Sequence, residues 1–364
     1  MSSTNPPRRR GCLFPFLVLS VVANLVFAAI VFWPSRDDQP AATETYLYGP
    51  KTARDKVAVV RADGALVEGL DAHILSQIRT AAADDHVKAV VLRINSPGGT
   101  IGSSEDIHRE LTRLRAGKHP RYPTATAKPV VASMGAMAAS GGYYIAMPAE
   151  KVFAEKSTLT GSIGVFASFP NVSELATKNG VRMELIKAGG IKGSGSPFHP
   201  MTPQERQPWQ DMVDQAYDQF LEVIAAGRPK LTAERLRSEV VIRKQAPLYD
   251  DKGNKVEPAK VVEVVRYRAD GGTFTAAEAK KFELIDEIGL LEDAVAAAAS
   301  SAKLGEYKVV GYERPPSLLT ALLGIEAPAA GPDLKQISAG LTPRVWYMAP
   351  QAELSGIVAA SAAK

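Results

Sequence analysis

Hydrophobic positions along the chain recur with two different periods. Short apolar runs cover residues 57–60, 87–94 and 129–134, and such runs are typical of strands that are buried on both faces. Between them, residues 70–83 and 101–114 carry apolar side chains at helical spacing. Strands that alternate with helices predict βαβ units and a mostly parallel sheet, so the expected fold class is α/β.

Two helices further along the chain have explicit start signals. Thr202 and Glu205 have the spacing of a capping box, and Pro203 occupies the first helical position. Thr275 and Glu278 repeat the capping-box spacing. Each pattern predicts a helix that begins at the residue after the threonine.

Two other segments do not follow the alternation of strands and helices. Residues 239–249 and 256–267 flank the turn sequence Asp-Asp-Lys-Gly-Asn at 250–254, which predicts a β-hairpin or an extended excursion. Residues 306–364 are rich in Ala, Pro and Gly over most of their length, so we expect a C-terminal extension that is partly flexible. The main domain is therefore expected to cover residues 56–305.

The N-terminal region is far more hydrophobic than the rest. Residues 11–33 contain no charged side chain, and 23 helical residues would span about 35 Å, enough to cross a bilayer core. Three arginines precede this stretch, so the positive-inside bias places residues 1–10 in the cytoplasm and the rest outside it. The alternative is a cleaved signal peptide, whose apolar region is usually shorter, about 7–15 residues. Residues 34–55 are polar and aperiodic, and they are interpreted as a linker.

Composition removes several classes of function. Hydrophobic residues make up 46% and charged residues 23% of the 364-residue chain, which are globular proportions. The net charge of +4 gives no reason to expect nucleic-acid binding. The single cysteine, Cys12, excludes an internal disulfide, and the five scattered histidines match no metal motif. No Walker motif is present, so neither a metal nor a nucleotide cofactor is expected.

Three stretches rich in Gly and Ser lie near strand ends, where open α/β sheets place their ligand sites. Gly98 and Gly99 suit an oxyanion hole, although Pro-Gly is also common in ordinary turns. Ser140 lies at a predicted strand–turn–helix junction, where a serine is either a nucleophile or simply an N-cap. On its pattern alone, Ser162 is more typical of a structural residue.

A serine nucleophile needs a base. The scattered histidines leave a histidine triad without support. A lysine can serve when its pKa falls from about 10.4 to about 7–8, which costs about 4 kcal/mol and requires an enclosed site. Lys187 and Lys192 are the two candidates, within a Gly- and Ser-rich segment.

Four segments in this order and at this spacing resemble the signal peptide peptidase A (protease IV) family of bacterial membrane serine peptidases. The resemblance covers roughly residues 56–300 and depends on the segments 93–99, 133–146, 160–165 and 192–206. It implies that Ser140 is the nucleophile and that Lys192 is the general base, with Lys187 a weaker rival outside the motif. It also implies that Ser162 orients the lysine. The residues implied for the oxyanion hole are Gly98, Gly99 and Gly141.

The same resemblance implies a Clp-protease/crotonase-like superhelix of ββα units. Short members of the family form rings in which the serine and lysine of one site come from neighbouring subunits. It further implies a single-pass protein of the bacterial inner membrane whose extracytoplasmic domain degrades remnant signal peptides and other apolar peptides, without a cofactor.

Three features depart from the family pattern. Ile191 replaces a frequent aromatic, Glu283 replaces a usual glycine, and residues 231–268 are longer than in short members. Two other functions remain open at this point. A crotonase-fold acyl-CoA enzyme would share the Gly-Gly motif without needing the serine and the lysine. A catalytically silent membrane scaffold would keep only the fold.

Overall fold

A computed structural model describes residue 20, residues 42–314 apart from 70, 124, 250, 251, 253 and 254, and residues 345–348. The membrane helix predicted over residues 11–33 therefore lies outside the described residues, apart from residue 20, as does the N-terminal segment 1–10. Within the part of the chain that the structure describes, no helix is both long enough and apolar enough to cross a membrane.

The described residues form a mixed α/β fold, as the alternation predicted. Its strands are β1 (Thr43–Tyr48), β2 (Lys56–Asp63), β3 (Val87–Ser96), β4 (Gly98–Thr100), β5 (Val130–Ala139), β6 (Lys151–Ala154), β7 (Leu159–Gly161), β8 (Phe166–Ala167), β9 (Glu239–Tyr249), β10 (Lys255–Tyr267), β11 (Thr273–Thr275), β12 (Glu287–Ile288), β13 (Lys308–Glu313) and β14 (Val345–Met348). Its helices are α1 (Asp71–Ala83), α2 (Ile101–Ala116), α3 (Gly141–Tyr144), α4 (Ser173–Lys178), α5 (Pro203–Gly227), α6 (Ala233–Leu236), α7 (Ala276–Lys281) and α8 (Leu291–Ser301).

The main sheet has the strand order β1-β13-β2-β3-β5-β6-β12. From β13 to β12 all neighbours are parallel, and β1 closes one edge antiparallel to β13. The far end of β5 pairs with β7, which in turn pairs with β11. The predicted parallel sheet is therefore confirmed, and its three predicted apolar runs are β2, β3 and β5.

Helices cover both faces of this sheet. Alternate residues of a strand point to opposite faces of the sheet. The continuous apolar run in β2 therefore contributes side chains to a hydrophobic layer on each face. One layer packs against α8 and includes Val57, Val59, Val91, Ala294 and Val295. The other packs against α1, α2 and α5 and includes Val60, Leu92, Ile78, Ile107 and Phe220.

Both capping boxes and the predicted hairpin are present. The Thr202 hydroxyl accepts the N–H of Glu205 at 3.3 Å, and the Glu205 carboxylate accepts the N–H of Thr202 at 3.1 Å. The same reciprocal pair joins Thr275 and Glu278 at the start of α7. Strands β9 and β10 pair antiparallel across the predicted turn, within the segment 231–268.

Two strands of the main sheet lie outside the predicted bounds 56–305. Residues 43–48, expected within a linker, form the edge strand β1, and residues 308–313 form β13 inside the main sheet. The side chains of Val309 and Val310 in β13 are buried on the two faces of the sheet. Local pattern missed these strands because each is short and β13 pairs with strands from the opposite end of the domain.

The C-terminal end of α5 is tied to the sheet by an ion pair. Both terminal nitrogens of Arg228 donate to Asp286 at 2.8 Å, and the N–H of Val152 donates to the same carboxylate at 2.8 Å. Burial by itself raises the pKa of Asp286, but the hydrogen bonds and charge of Arg228 outweigh it and hold that pKa below its ordinary value.

Asp286→Asn is expected to reduce the free energy of unfolding by about 1–2 kcal/mol at pH 7, because Arg228 loses a charged partner that is partly exposed. A carboxyl whose pKa is lower in the folded state stabilises the fold above its unfolded pKa of about 3.9. This contribution disappears as the pH falls through the folded pKa. The difference in free energy of unfolding between the wild type and Asp286→Asn, measured by urea unfolding, should therefore be smaller at pH 3 than at pH 7. A difference that stays constant between the two pH values would contradict this, and Asp63→Asn at an exposed pair is the control.

Candidate active site

Ser140 follows β5 directly and precedes α3, at the junction that the sequence predicted. Its backbone adopts φ 53° and ψ −114°, in a region that residues with a side chain rarely occupy. The turn is held by a hydrogen bond from the Ser140 N–H to the carbonyl oxygen of Gly161 at 2.8 Å. Such a backbone costs about 1–3 kcal/mol and is typical of functional sites.

The Ser140 hydroxyl is fully buried and has no hydrogen-bond partner in the part of the chain that the structure describes. It does not cap α3, so the N-cap interpretation of this serine is wrong. An unsatisfied buried hydroxyl costs about 1–3 kcal/mol, in addition to the strained backbone. No histidine among the described residues bonds to it. His108 of α2 lies edge-on against Tyr144 of α3 at 5.2 Å, and burial lowers the pKa of His108 to about 4.

The three glycines expected to form an oxyanion hole converge next to Ser140. A Cβ on Gly98 would lie 2.8 Å from the nitrogen of Gly141, and one on Gly141 would lie 3.1 Å from the nitrogen of Gly99. Gly98 also has φ +101°, which favours glycine. Glycine is therefore required here both by its backbone conformation and by the close approach of the two loops.

Two serines that the sequence did not single out support these loops. The Ser96 hydroxyl accepts the N–H of Gly98 at 3.1 Å, and the Ser104 hydroxyl donates to the carbonyl oxygen of Thr100 at 2.9 Å. A Cβ on Gly141 would lie 2.5 Å from the Ser104 hydroxyl. Both serines are buried, and no local pattern distinguishes them from other serines in helices and strands.

Gly98→Ala is expected to lower kcat/KM for a peptide substrate by about 10²–10³-fold, because its Cβ would lie 2.8 Å from the Gly141 nitrogen and push apart the two loops expected to form the oxyanion hole. The matched control is Gly102→Ala in α2, whose Cβ would meet only Glu68 Oε1, at 3.6 Å. This control should keep wild-type activity. Retention of half the activity by Gly98→Ala in a peptide-cleavage assay would contradict the assignment.

Ser162 directly follows Gly161, the last residue of β7, whose carbonyl oxygen accepts the Ser140 N–H. It too has a positive φ, 49°, and its hydroxyl donates to the carbonyl oxygen of Gly271 at 2.9 Å. This bond uses the only hydroxyl proton and leaves the lone pairs of the oxygen free to accept. Ser162 lines a cavity of about 360 Å³ together with Asp214, Tyr217 and other residues. An amine that enters this cavity can donate to Ser162.

The structure does not bring Lys192 to Ser140 within one chain. The Lys192 side chain is exposed, and among the described residues it has no hydrogen bond or ion pair. The rival Lys187 is held by its own segment, since its amine donates to the carbonyl oxygen of Gly190 at 2.7 Å and to Glu205 at 3.1 Å. Of the two lysines, Lys192 is the one whose amine is free to serve a site outside its own loop.

A buried serine hydroxyl in a strained turn, next to three converging glycines, defines a site suited to attack on a carbonyl group. The sequence profile of peptidase family S49 matches residues 124–240. The chain is 32% identical over 275 residues to a putative protease of Synechocystis, which covers 75% of this chain and 84% of that protein. The chain therefore belongs to peptidase family S49, as the resemblance to signal peptide peptidase A implied.

Two further relatives agree with this family. Protease 4 of Salmonella typhi is 33% identical over 301 residues, which is 80% of this chain and 42% of that protein. A putative signal peptide peptidase SppA of Enterococcus faecium is 32% identical over 241 residues, covering 66% of this chain and 59% of that protein. The chain thus spans less than half the length of the Salmonella protein.

Proposed function

We propose that this protein is a serine endopeptidase in which Ser140 is the nucleophile and Lys192 the general base. The observation that carries the proposal is the Ser140 hydroxyl, which is buried, has no hydrogen-bond partner among the described residues and is held in a strained turn beside Gly98, Gly99 and Gly141. A strained backbone and an unsatisfied buried hydroxyl both destabilise the fold, and proteins keep such features mainly at functional sites.

The proposed reaction proceeds in two stages. Lys192 in its neutral form takes the Ser140 proton while the oxygen attacks the peptide carbonyl, and the N–H groups of Gly99 and Gly141 stabilise the oxyanion. The lysine then protonates the departing amine, leaving an acyl group on Ser140. A water molecule, deprotonated by the same lysine, releases the acid product and restores the serine.

We further propose that Lys192 acts on the Ser140 of a neighbouring copy in a ring-shaped homo-oligomer. Large apolar side chains are exposed along the segment 175–191 that leads to this lysine, and exposed apolar surface is typical of protein contacts. They are Leu175, Val181, Met183, Leu185, Ile186 and Ile191. A subunit contact over this surface would exclude water from the amine and lower its pKa, as a lysine base requires. The Ser162 hydroxyl oxygen would accept a hydrogen bond from the Lys192 amine of the neighbouring copy and so orient it.

The proposed substrates are apolar peptides, chiefly remnants of signal peptides at a bacterial inner membrane. The charge-free stretch 11–33 would anchor the domain beside the bilayer, with the domain outside the cytoplasm. The parallel strand–helix units are consistent with the Clp-protease/crotonase-like superhelix implied by the resemblance.

A fluorophosphonate probe tests the nucleophile. We expect one covalent adduct per chain by intact mass, localised to Ser140 by peptide mapping, and no adduct in Ser140→Ala. Labelling of another serine would overturn the assignment. Absence of labelling in a protein that cleaves no peptide would overturn the proposed function and favour the catalytically silent scaffold.

A further inference from the structure

The segment that carries Lys192 is attached to α5 at a point two residues beyond the lysine. The Ser194 hydroxyl donates to the carbonyl oxygen of Glu205 at 2.9 Å and accepts the indole N–H of Trp209 at 2.6 Å. A serine hydroxyl has one proton, and here that proton is directed at the Glu205 carbonyl while a lone pair faces the indole. Both partners belong to the first two turns of α5, so the two bonds fix Ser194 on that helix.

A tight turn connects Ser194 to Lys192. The N–H of Ser194 donates to the carbonyl oxygen of Ile191 at 2.9 Å, which closes the turn around the lysine. Gly193, between the two residues, lies against Leu185 of the same segment, because a Cβ there would come within 2.6 Å of the leucine side chain. Cα atoms two residues apart are separated by at most about 7 Å. A displacement of Ser194 would therefore move the backbone from which the Lys192 side chain extends.

The indole that binds Ser194 is itself held by packing. The ring of Trp209 meets the ring of Phe169 edge to face, with centroids 4.7 Å apart, so its N–H has a defined direction. Lys187 also attaches the segment to α5, through a bond to Glu205 at 3.1 Å, but this bond is further from the proposed base along the chain. Lys187→Ala therefore leaves the attachment at Ser194 intact.

We propose that Trp209 is a positioning residue for the general base, acting through the Ser194 hydroxyl on the turn from which the Lys192 amine extends. This inference rests on the proposed function, in which Lys192 takes the proton of Ser140. A base must come within about 2.6–3.2 Å of the proton donor, and the lysine side chain is flexible, so a fixed backbone narrows the positions that its amine samples. Release of the turn lowers the fraction of sites in which the amine is correctly placed, and it therefore lowers kcat.

The test is Trp209→Phe in the full-length chain, which removes the indole N–H and keeps an aromatic ring against Phe169. We expect kcat for an apolar peptide to fall about tenfold at unchanged KM, since a small misplacement of a catalytic group costs up to about 10²-fold. Ser194→Ala removes both bonds and should cause a similar loss. The matched control is Gln207→Ala, which removes an exposed side-chain hydrogen bond to Asp211 in the same helix and should keep the wild-type kcat.

The double variant Trp209→Phe with Ser194→Ala separates positioning from a general loss of stability. If both residues act through one hydrogen bond, the double variant should lose no more kcat than Ser194→Ala alone. Single losses that multiply in the double variant would overturn the proposal. A raised KM at unchanged kcat in Trp209→Phe would place the indole in peptide binding, and it would overturn the proposal equally.

Hydrogen exchange of the peptide that covers residues 188–196 gives a readout that does not depend on activity. Exchange should be faster in Trp209→Phe and unchanged in Gln207→Ala, with circular dichroism confirming that both variants are folded. Wild-type exchange or a wild-type kcat in a folded Trp209→Phe protein would overturn the positioning role. Peptide cleavage that survives in Lys192→Ala would instead overturn the proposed base, whatever the result for Trp209.

Discussion

Ser140→Ala is expected to lower kcat/KM for an apolar peptide by at least about 10³-fold, because no other group among the described residues is placed to attack the bound carbonyl. The three glycines remain, so the residual rate should come from binding and oxyanion stabilisation alone. The measurement is cleavage of a fluorogenic peptide at several enzyme concentrations. The control Ser157→Ala changes an exposed serine outside the site and should be fully active.

Ser140→Gly separates the chemical role of this residue from its structural cost. Glycine adopts φ 53° without strain and carries no buried hydroxyl, so the variant should gain about 1–3 kcal/mol in free energy of unfolding while losing the same activity as Ser140→Ala. Chemical denaturation of the three proteins measures the difference. A Ser140→Gly variant less stable than wild type, or one that still cleaves peptides, would contradict a strained nucleophile.

Lys192→Ala is expected to lower kcat by about 10²–10⁴-fold, the usual effect of removing a general base. The matched control is Lys187→Ala in the same segment, which removes an amine bound to Glu205 and should leave the pH profile of kcat unchanged. Loss of activity in Lys187→Ala with retention in Lys192→Ala would reverse the assignment of the base.

Mixing the two inactive variants tests whether the dyad is shared between subunits. A site formed by two chains is intact when its serine comes from a Lys192→Ala chain and its lysine from a Ser140→Ala chain. In an equal mixture about a quarter of the sites meet both conditions, so about a quarter of wild-type activity should return. Native mass spectrometry must show that mixed oligomers form. Mixed oligomers without activity would place serine and lysine on the same chain.

Elements whose signal is local could be predicted from the sequence. The parallel strands β2, β3 and β5 follow from continuous apolar runs, and the starts of α5 and α7 follow from capping boxes, because these signals lie within a few residues of the element. Strands β1 and β13 could not be predicted in this way. Each is a short edge or near-edge segment whose partner lies far along the chain, so nothing in its own sequence specifies the pairing.

The candidate site divides along the same line. By itself, the sequence left serine and lysine as the plausible catalytic groups, since its one cysteine, Cys12, lies in the charge-free N-terminal stretch and its five histidines are scattered, and it placed Ser140 at a strand–helix junction. Only the tertiary structure decided that the Ser140 hydroxyl has no partner among the described residues, that the Lys192 side chain is exposed, and that Gly98, Gly99 and Gly141 converge beside the serine. These properties depend on contacts between segments that are far apart in the sequence, and residue spacing along the chain does not predict such contacts.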